Sequence, residues 1–203
     1  MIDQSADAYG MYLNTNESFA NDGKVSIAVD SLKEGAKAIR LQQGKFTNNA
    51  SGVVDMTVQA HEKAAYGIDL DGANGSANNA GTITMDVTGG TTEAATAFGI
   101  AHRAGSYVGN TGNMTFNLHG VTSAASNAEV GAIVTTGQGT KFKNSGRIDI
   151  TGRRTGDIVT SGDVLGIRVA DKGVFDNAEA GVITIDLGPV SYTHLTLPTI
   201  CSV

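Results

Sequence analysis

Tryptophan is absent from these 203 residues, cysteine occurs once, proline twice, and aromatic residues make up only 5%. One thiol cannot close a disulfide within the chain, so no disulfide framework stands in for a core. Basic residues are short as well: 14 Lys and Arg face 20 Asp and Glu, for a net charge of −6 and a pI near 5.1. A nucleic-acid backbone or an anionic lipid surface as partner calls for the opposite sign. No apolar run approaches the roughly 18 residues of a membrane-spanning helix, so no membrane span is expected. Nor does a basic-then-apolar leader open the chain, because Met1-Ile2-Asp3-Gln4-Ser5 runs straight into polar sequence. Either the protein is cytosolic or its true start lies upstream, and the second is the expectation.

Glycine is plentiful instead, at 27 residues, without the every-third-residue spacing of collagen. Together with abundant Val, Ile, Thr and Asn, this composition points to many short strands joined by tight turns.

The last 14 residues break every pattern that precedes them. Val190-Ser191-Tyr192-Thr193-His194-Leu195-Thr196-Leu197-Pro198-Thr199 can be encoded by GTC TCT TAT ACA CAT CTG ACG CTG CCG ACG. That resembles a transposase-type sequencing adapter read in frame, with Ile200, Cys201 and Ser202 as its index; the alternative is an unusual natural tail. Residues 190–203 are therefore expected to be a non-native, disordered tail, which removes Cys201 and His194 from any candidate site. Residues 1–7 are a lead-in, and 8–189 form the body, a fragment of a longer domain.

The body is a repeat. Asn, a short gap, Gly and then alternating apolar residues recur at Asn21…Gly23, Asn49…Gly52, Asn79…Gly81, Asn110…Gly112, Asn144…Gly146 and Asn177…Gly181. The glycines lie 29, 29, 31, 34 and 35 residues apart. After each one, the second, fourth and sixth residues form columns: Val25, Val54, Ile83, Met114, Ile148, Ile183; then Ile27, Met56, Met85, Phe116, Ile150, Ile185; then Val29, Val58, Val87, Leu118, Gly152, Leu187. Only Gly152 departs from apolar. The residues between are mostly polar, and period-two alternation means a strand with one buried and one wet face.

A second strand precedes each turn, centred on Gly10, Ala38, Gly67, Gly99, Gly131 and Gly166. Its columns before and after that centre are apolar except for Lys37, expected to snorkel outward, and His102, expected at a strand end where the chain turns. Phenylalanine often lies two residues before the turn Asn, as at Phe19, Phe142 and Phe175, with Phe46 close to the same pattern.

Residue identity that matches from unit to unit favours a stack over a sandwich, because only in-register coils put like on like. The fold class expected is therefore all-β: a single-stranded parallel β-helix, or β-solenoid, of about six coils of 29–35 residues spanning roughly 29 Å at ~4.8 Å per coil. Asn on Asn can form an amide ladder at the turn, and the Gly after it is expected to supply backbone freedom at the corner. The segments 30–36, 59–64, 88–96, 119–128 and 152–164 absorb the length variation. Solenoids carry such insertions on one side, frequently the binding side.

No catalytic, cofactor-binding or metal residue is assigned. Asp55, Asp86, Asp149 and Asp186 face outward but alternate between two columns and skip coils, so they do not converge as a lyase's carboxylates would; solvated face charge is the better account. Asp69-Leu70-Asp71-Gly72-Ala73-Asn74-Gly75 lacks the closing Glu of a calcium loop. His61, His102 and His119 share no spacing suited to zinc. Thr82-Ile83-Thr84 resembles an ice-binding Thr-x-Thr, which the other coils do not repeat. Arg153-Arg154 in the longest insertion reads as a charged loop tip, or as a contact for an acidic glycan or protein.

Gly-Ile strands followed by Phe-x-Asn-x-Gly-x-Ile-x-Ile/Val repeats across residues 8–188 resemble the passenger region of Gram-negative autotransporters (type V secretion). The resemblance implies a right-handed β-helix displayed on, or shed from, the cell surface, with a signal peptide and a C-terminal translocator barrel in the full-length protein. A body without cysteine suits threading through a narrow pore, and local, repetitive contacts suit progressive folding. The function expected is that of a non-enzymatic adhesin or structural stalk, without cofactors, whose loops contact host or bacterial surface glycans or proteins. The alternative is a carbohydrate-active β-helix of lyase or glycosidase type, its cleft mostly outside this fragment.

Overall fold

The computed structural model of the chain describes residues 7–31, 34–90, 95–120, 129–154 and 164–188. The proposed adapter tail lies outside them. Each coil contributes one strand to each of three parallel six-stranded sheets, and the strands of each sheet stack in coil order. Sheet A holds Ala8–Leu13, Ala36–Leu41, Ala65–Leu70, Ala97–His102, Val130–Thr136 and Val164–Ala170. Sheet B holds the short strands Ser18–Asn21, Lys45–Asn48, Ser76–Asn79, Tyr107–Asn110, Lys141–Asn144 and Val174–Asn177. Sheet C holds Lys24–Ser31, Val53–Ala60, Thr82–Thr88, Asn113–Gly120, Arg147–Arg154 and Val182–Asp186. The β-solenoid is as the repeat predicts, with sheet B as an additional face.

Sheet C follows the sequence columns residue for residue: Val25 pairs with Val54, Ile27 with Met56, Val29 with Val58, and so on up the stack. Where Gly152 interrupts the third column, Leu187 and Val164 close over it; a Cβ there would lie 2.9 Å from Leu187 Cδ2. Sheet B puts Phe19, Phe46, Ala77, Val108, Phe142 and Phe175 in one column. The Phe19–Phe46 and Phe142–Phe175 rings stack with centroids 6.1 and 4.7 Å apart.

Sheet A departs from simple alternation. Ladder pairs form at Tyr9↔Lys37 and again at Met11↔Ile39, and the position between them is skipped in every coil. Residues on both sides of this slip face inward: Ala36, Ala38, Ile39 and Leu41 all belong to the central core. The column of Tyr9, Lys37, Tyr66 and Phe98 is thereby turned to the outer face. The slip sits at the smallest residue because the middle column of sheet C points directly at it. A Cβ on Gly10 would be 2.6 Å from Ile27 Cγ2, one on Gly67 2.9 Å from Met85 Sδ, and one on Gly99 2.5 Å from the Phe116 ring. In the fifth coil the small inward residue is Ala132, not Gly131 as the sequence suggests, since Ile100 pairs with Ile133. Gly131 lies on the outer face, where a side chain would run into the Phe98 ring at 2.6 Å.

The turn between sheets B and C carries the amide ladder, and its second member is Asn48 rather than Asn49. The turns of the second and sixth coils are two residues longer than the others, and in the second an adjacent Asn49 stands one residue nearer the Gly than the ladder Asn. Each ladder Asn donates from Nδ2 to Oδ1 of the next: Asn21 to Asn48, Asn48 to Asn79, Asn79 to Asn110 and Asn110 to Asn144, each at 2.8 Å, then Asn144 to Asn177 at 2.7 Å. From the second coil on, the corner glycines are required by close approach and not by a left-handed backbone, whereas a Cβ on Gly23 in the first coil would meet nothing within 4 Å. A Cβ on Gly81, Gly112 or Gly146 would lie 2.1–2.2 Å from the carbonyl oxygen of the glycine one coil below. Left-handed residues gather instead at the turn between sheets A and B, among them Asn16, Asn74 and Ala104.

Candidate functional site

The segments that absorb the length variation each follow a strand of sheet C and precede the next strand of sheet A. Residues 32–33, 91–94, 121–128 and 155–163 lie outside the described set, and so do the side chains of Arg153 and Arg154.

The outward carboxylates of sheet C stay apart. Asp55 and Asp149 share a column with Thr84 and Thr115 between them, while Asp86 and Asp186 share the other. Each has its own neighbour: Lys24 lies 3.1 Å from Asp55, Arg147 forks onto Asp149 at 2.6 and 2.7 Å, Asn117 donates to Asp86 at 2.7 Å, and the Gly188 N–H donates to Asp186 at 3.0 Å. Thr151 donates to Asn117 in turn at 3.0 Å, so the depression beside His119 is lined by polar groups that satisfy one another. Thr82 and Thr84 point outward on the same sheet, flanked in register by Val53 and Asp55 on one side and Asn113 and Thr115 on the other.

The three histidines are not brought together. His61 Nε2 sits 2.8 Å from Asp30 Oδ1 at the insertion edge. His102 does end its strand, but inside the core: it is fully buried in the column of Leu41, Leu70 and Thr135. Its Nε2 is 2.6 Å from Thr135 Oγ1, its ring meets Phe142 edge-on, and its Nδ1 has no partner. Burial holds it down to a pKa of about 4.

The outer face of sheet A carries a layer of aromatic and charged side chains, among them Tyr9, Tyr66 and Phe98, which the apolar columns place in the core. Lys37 does point outward, yet it is nearly covered: its Nζ donates to Asp7 at 2.8 Å and lies 5.3 Å from the Tyr9 ring centroid. Hydrogen bonding to Lys37 holds the Asp7 carboxyl below its ordinary value. The Arg40 guanidinium lies between Tyr9 and Tyr12, donates to Tyr9 Oη at 2.6 Å and grips Asp71 Oδ2 at 2.6 and 3.1 Å. Asp69, fully buried, accepts from Arg103 at 2.6 Å, with Lys37 Nζ at 3.8 Å. Burial pushes its carboxyl above the ordinary value, with Arg103 and Lys37 opposing. The run Asp69–Gly75 therefore spends its carboxylates on arginines. Every cation on this face is matched, with Arg168 paired to Glu129 at 2.6 Å.

Sheet B differs. Its outward columns are Ser18, Lys45, Ser76, Tyr107, Lys141, Val174 and Ala20, Thr47, Asn78, Gly109, Lys143, Asp176. Gly109 makes a notch in the second, and around it opens a shallow depression of about 310 Å³. Tyr107 stands at its edge, 37% exposed. Lys141 leans to Asp176 at 3.7 Å, whereas Lys143 has no ion pair among the described residues.

Among the described residues no group of three or more His, Cys, Asp or Glu is placed to hold a metal, and no helix is long and apolar enough to cross a membrane. Fold and surface together define a three-faced β-solenoid built of degenerate repeats. Comparison with protein-family models, curated proteins and solved structures found no match to this chain.

Proposed function

We propose that this solenoid is a surface-displayed scaffold of the autotransporter-passenger kind, non-enzymatic, which holds adhesive surfaces on its faces and along its insertion edge. The observation that carries the reading is the unbroken stack: three in-register sheets, an internal amide ladder and a continuous aliphatic core. Such a stack gains stability coil by coil from nearest-neighbour contacts, which lets a chain fold as it emerges through a pore. The acids on its faces are individually partnered and separated, which favours a scaffold over the carbohydrate-cleaving alternative.

The test is to fuse residues 1–188 between a signal peptide and a translocator barrel in a non-adherent bacterium. External protease should then reach the solenoid on intact cells, and attachment to host-cell monolayers should exceed that of the barrel alone. Retention in the periplasm would overturn the passenger reading. Display without added attachment would overturn the adhesive one.

A further inference from the structure

We propose that the depression on sheet B binds one carboxylate-bearing sugar residue of a surface glycan, an inference that rests on the adhesive-scaffold reading and supplies its ligand class. The depression draws on four coils, with Thr47, Asn78, Tyr107, Gly109, Thr111 and Lys143 around it. At about 310 Å³ it is at the low end of small-molecule sites, ~300–1,000 Å³, which suits a single ring rather than an extended chain.

Its chemistry is complementary to an acidic sugar. Tyr107 offers an exposed aromatic ring with a polar tip, the usual way to meet a surface that is apolar on one side and hydroxylated on the other. A Cβ at Gly109 would lie 3.1 Å from the Tyr107 hydroxyl and 2.8 Å from Asn78 Oδ1, so both groups converge over that notch. The Asn78 amide has no protein partner among the described residues, leaving two donors and an acceptor free for hydroxyls. Lys143 brings the charge. No carboxylate lines the depression, in a protein whose net charge is −6. The cations of sheet A are by contrast all engaged by Asp7, Asp69, Asp71 or Glu129. An unpaired ammonium beside free amide and aromatic groups selects an anion that also carries hydroxyls.

The floor is rigid. Asn48, Asn79 and Asn110 of the buried ladder lie directly beneath, so the recognition groups stand on an ordered base. Gly109 is an ordinary strand residue without left-handed backbone, and the atoms its Cβ would meet are the far ends of flexible side chains. Gly109→Ala therefore displaces Tyr107 and Asn78 while leaving the fold intact.

Titration of the purified chain by calorimetry with a glucuronate-terminated oligosaccharide, a sialate-terminated one and neutral lactose tests the site, the two acidic arms separating uronic from sialic acids. At least one acidic glycan should bind about tenfold or more tighter than lactose. Lys143→Gln should remove that preference, and Gly109→Ala should weaken acidic and neutral binding alike with the circular dichroism spectrum unchanged. Equal binding of acidic and neutral glycans, no binding of either acid, or indifference to Lys143→Gln would overturn the proposal. Attachment of displaying cells without such binding would sink this site and spare the scaffold reading, whereas glycan binding without attachment would do the reverse.

Discussion

Asn48 and Asn49 are adjacent, chemically identical and placed in opposite surroundings, so replacing each with alanine isolates what the ladder contributes. Asn48 is fully buried; it accepts from Asn21 at 2.8 Å and donates to Asn79 Oδ1 at 2.8 Å and to Gly52 O at 3.1 Å. Asn49 makes one exposed side-chain bond, to Asp22 at 2.9 Å. Removing the Asn48 amide costs the net worth of a hydrogen bond, about 1 kcal/mol, and strands Asn79 Oδ1 without a donor, a further ~1–3 kcal/mol. Asn21 Nδ2 is less affected, because Gly23 O and Val53 O still accept from it. Asn48→Ala should thus destabilise the chain by about 2–4 kcal/mol, and Asn49→Ala by no more than about 0.5 kcal/mol, as for other exposed positions. Urea titration followed by circular dichroism and by tyrosine fluorescence reads both values, and coincident transitions license the two-state analysis. Equal shifts for the two variants would refute the assignment of Asn48 to the ladder.

Three further perturbations probe other parts of the stack. His102 has a folded pKa of about 4 against 6.5 when unfolded, so below pH 6.5 the unfolded state binds the extra proton. Its contribution, about 3 kcal/mol, is present above pH 6.5 and lost as pH falls to 4; His102→Leu should flatten that part of the stability profile, and an unchanged slope would contradict the burial. Gly99→Ala should cost about 1–3 kcal/mol by overpacking against Phe116, and Phe116→Leu in the same chain should recover part of the loss in thermal melts. Arg103→Ala strands the buried Asp69 carboxylate with only Lys37 at 3.8 Å. Because Arg103 is itself partly exposed, a loss of about 1–3 kcal/mol is expected, less than for a fully buried pair. Adding Asp69→Asn should restore most of it in urea titrations.

Sheet C was legible because strands of five to eight residues repeat one alternation, broken only at Gly152. Sheet A was only half legible: a one-residue slip at Gly10, Ala38, Gly67, Gly99, Ala132 and Gly166 reverses which residues face out, and period-two counting has no means of seeing it. Lys37 was the signal, a charge in an apolar column whose neighbours Tyr9, Tyr66 and Phe98 tolerate the outer face equally well. Gly131 and Ala132 are both small, so the fifth coil could be registered either way until Ile133 was paired with Ile100. Sheet B escaped notice because its strands are four residues long and Ala77 and Val108 stand where other coils have Phe. The depression beside Tyr107 was invisible for a different reason. Its groups come from four coils, about 30 residues apart at each step, and only the stacking register brings Asn78 and Lys143 to either side of Gly109.

Cysteine pairs read that register directly. In a Cys201→Ser background, Thr57→Cys with Asp86→Cys joins register partners on the outer face of sheet C, at ~4.8 Å between neighbouring strands and within disulfide reach. Thr57→Cys with Asn117→Cys spans two coils, roughly 9–10 Å, beyond the ~7 Å limit. Mild oxidation should close the first pair within the monomer and leave the second open. Closure of the second pair in preference to the first would contradict the coil-on-coil stack.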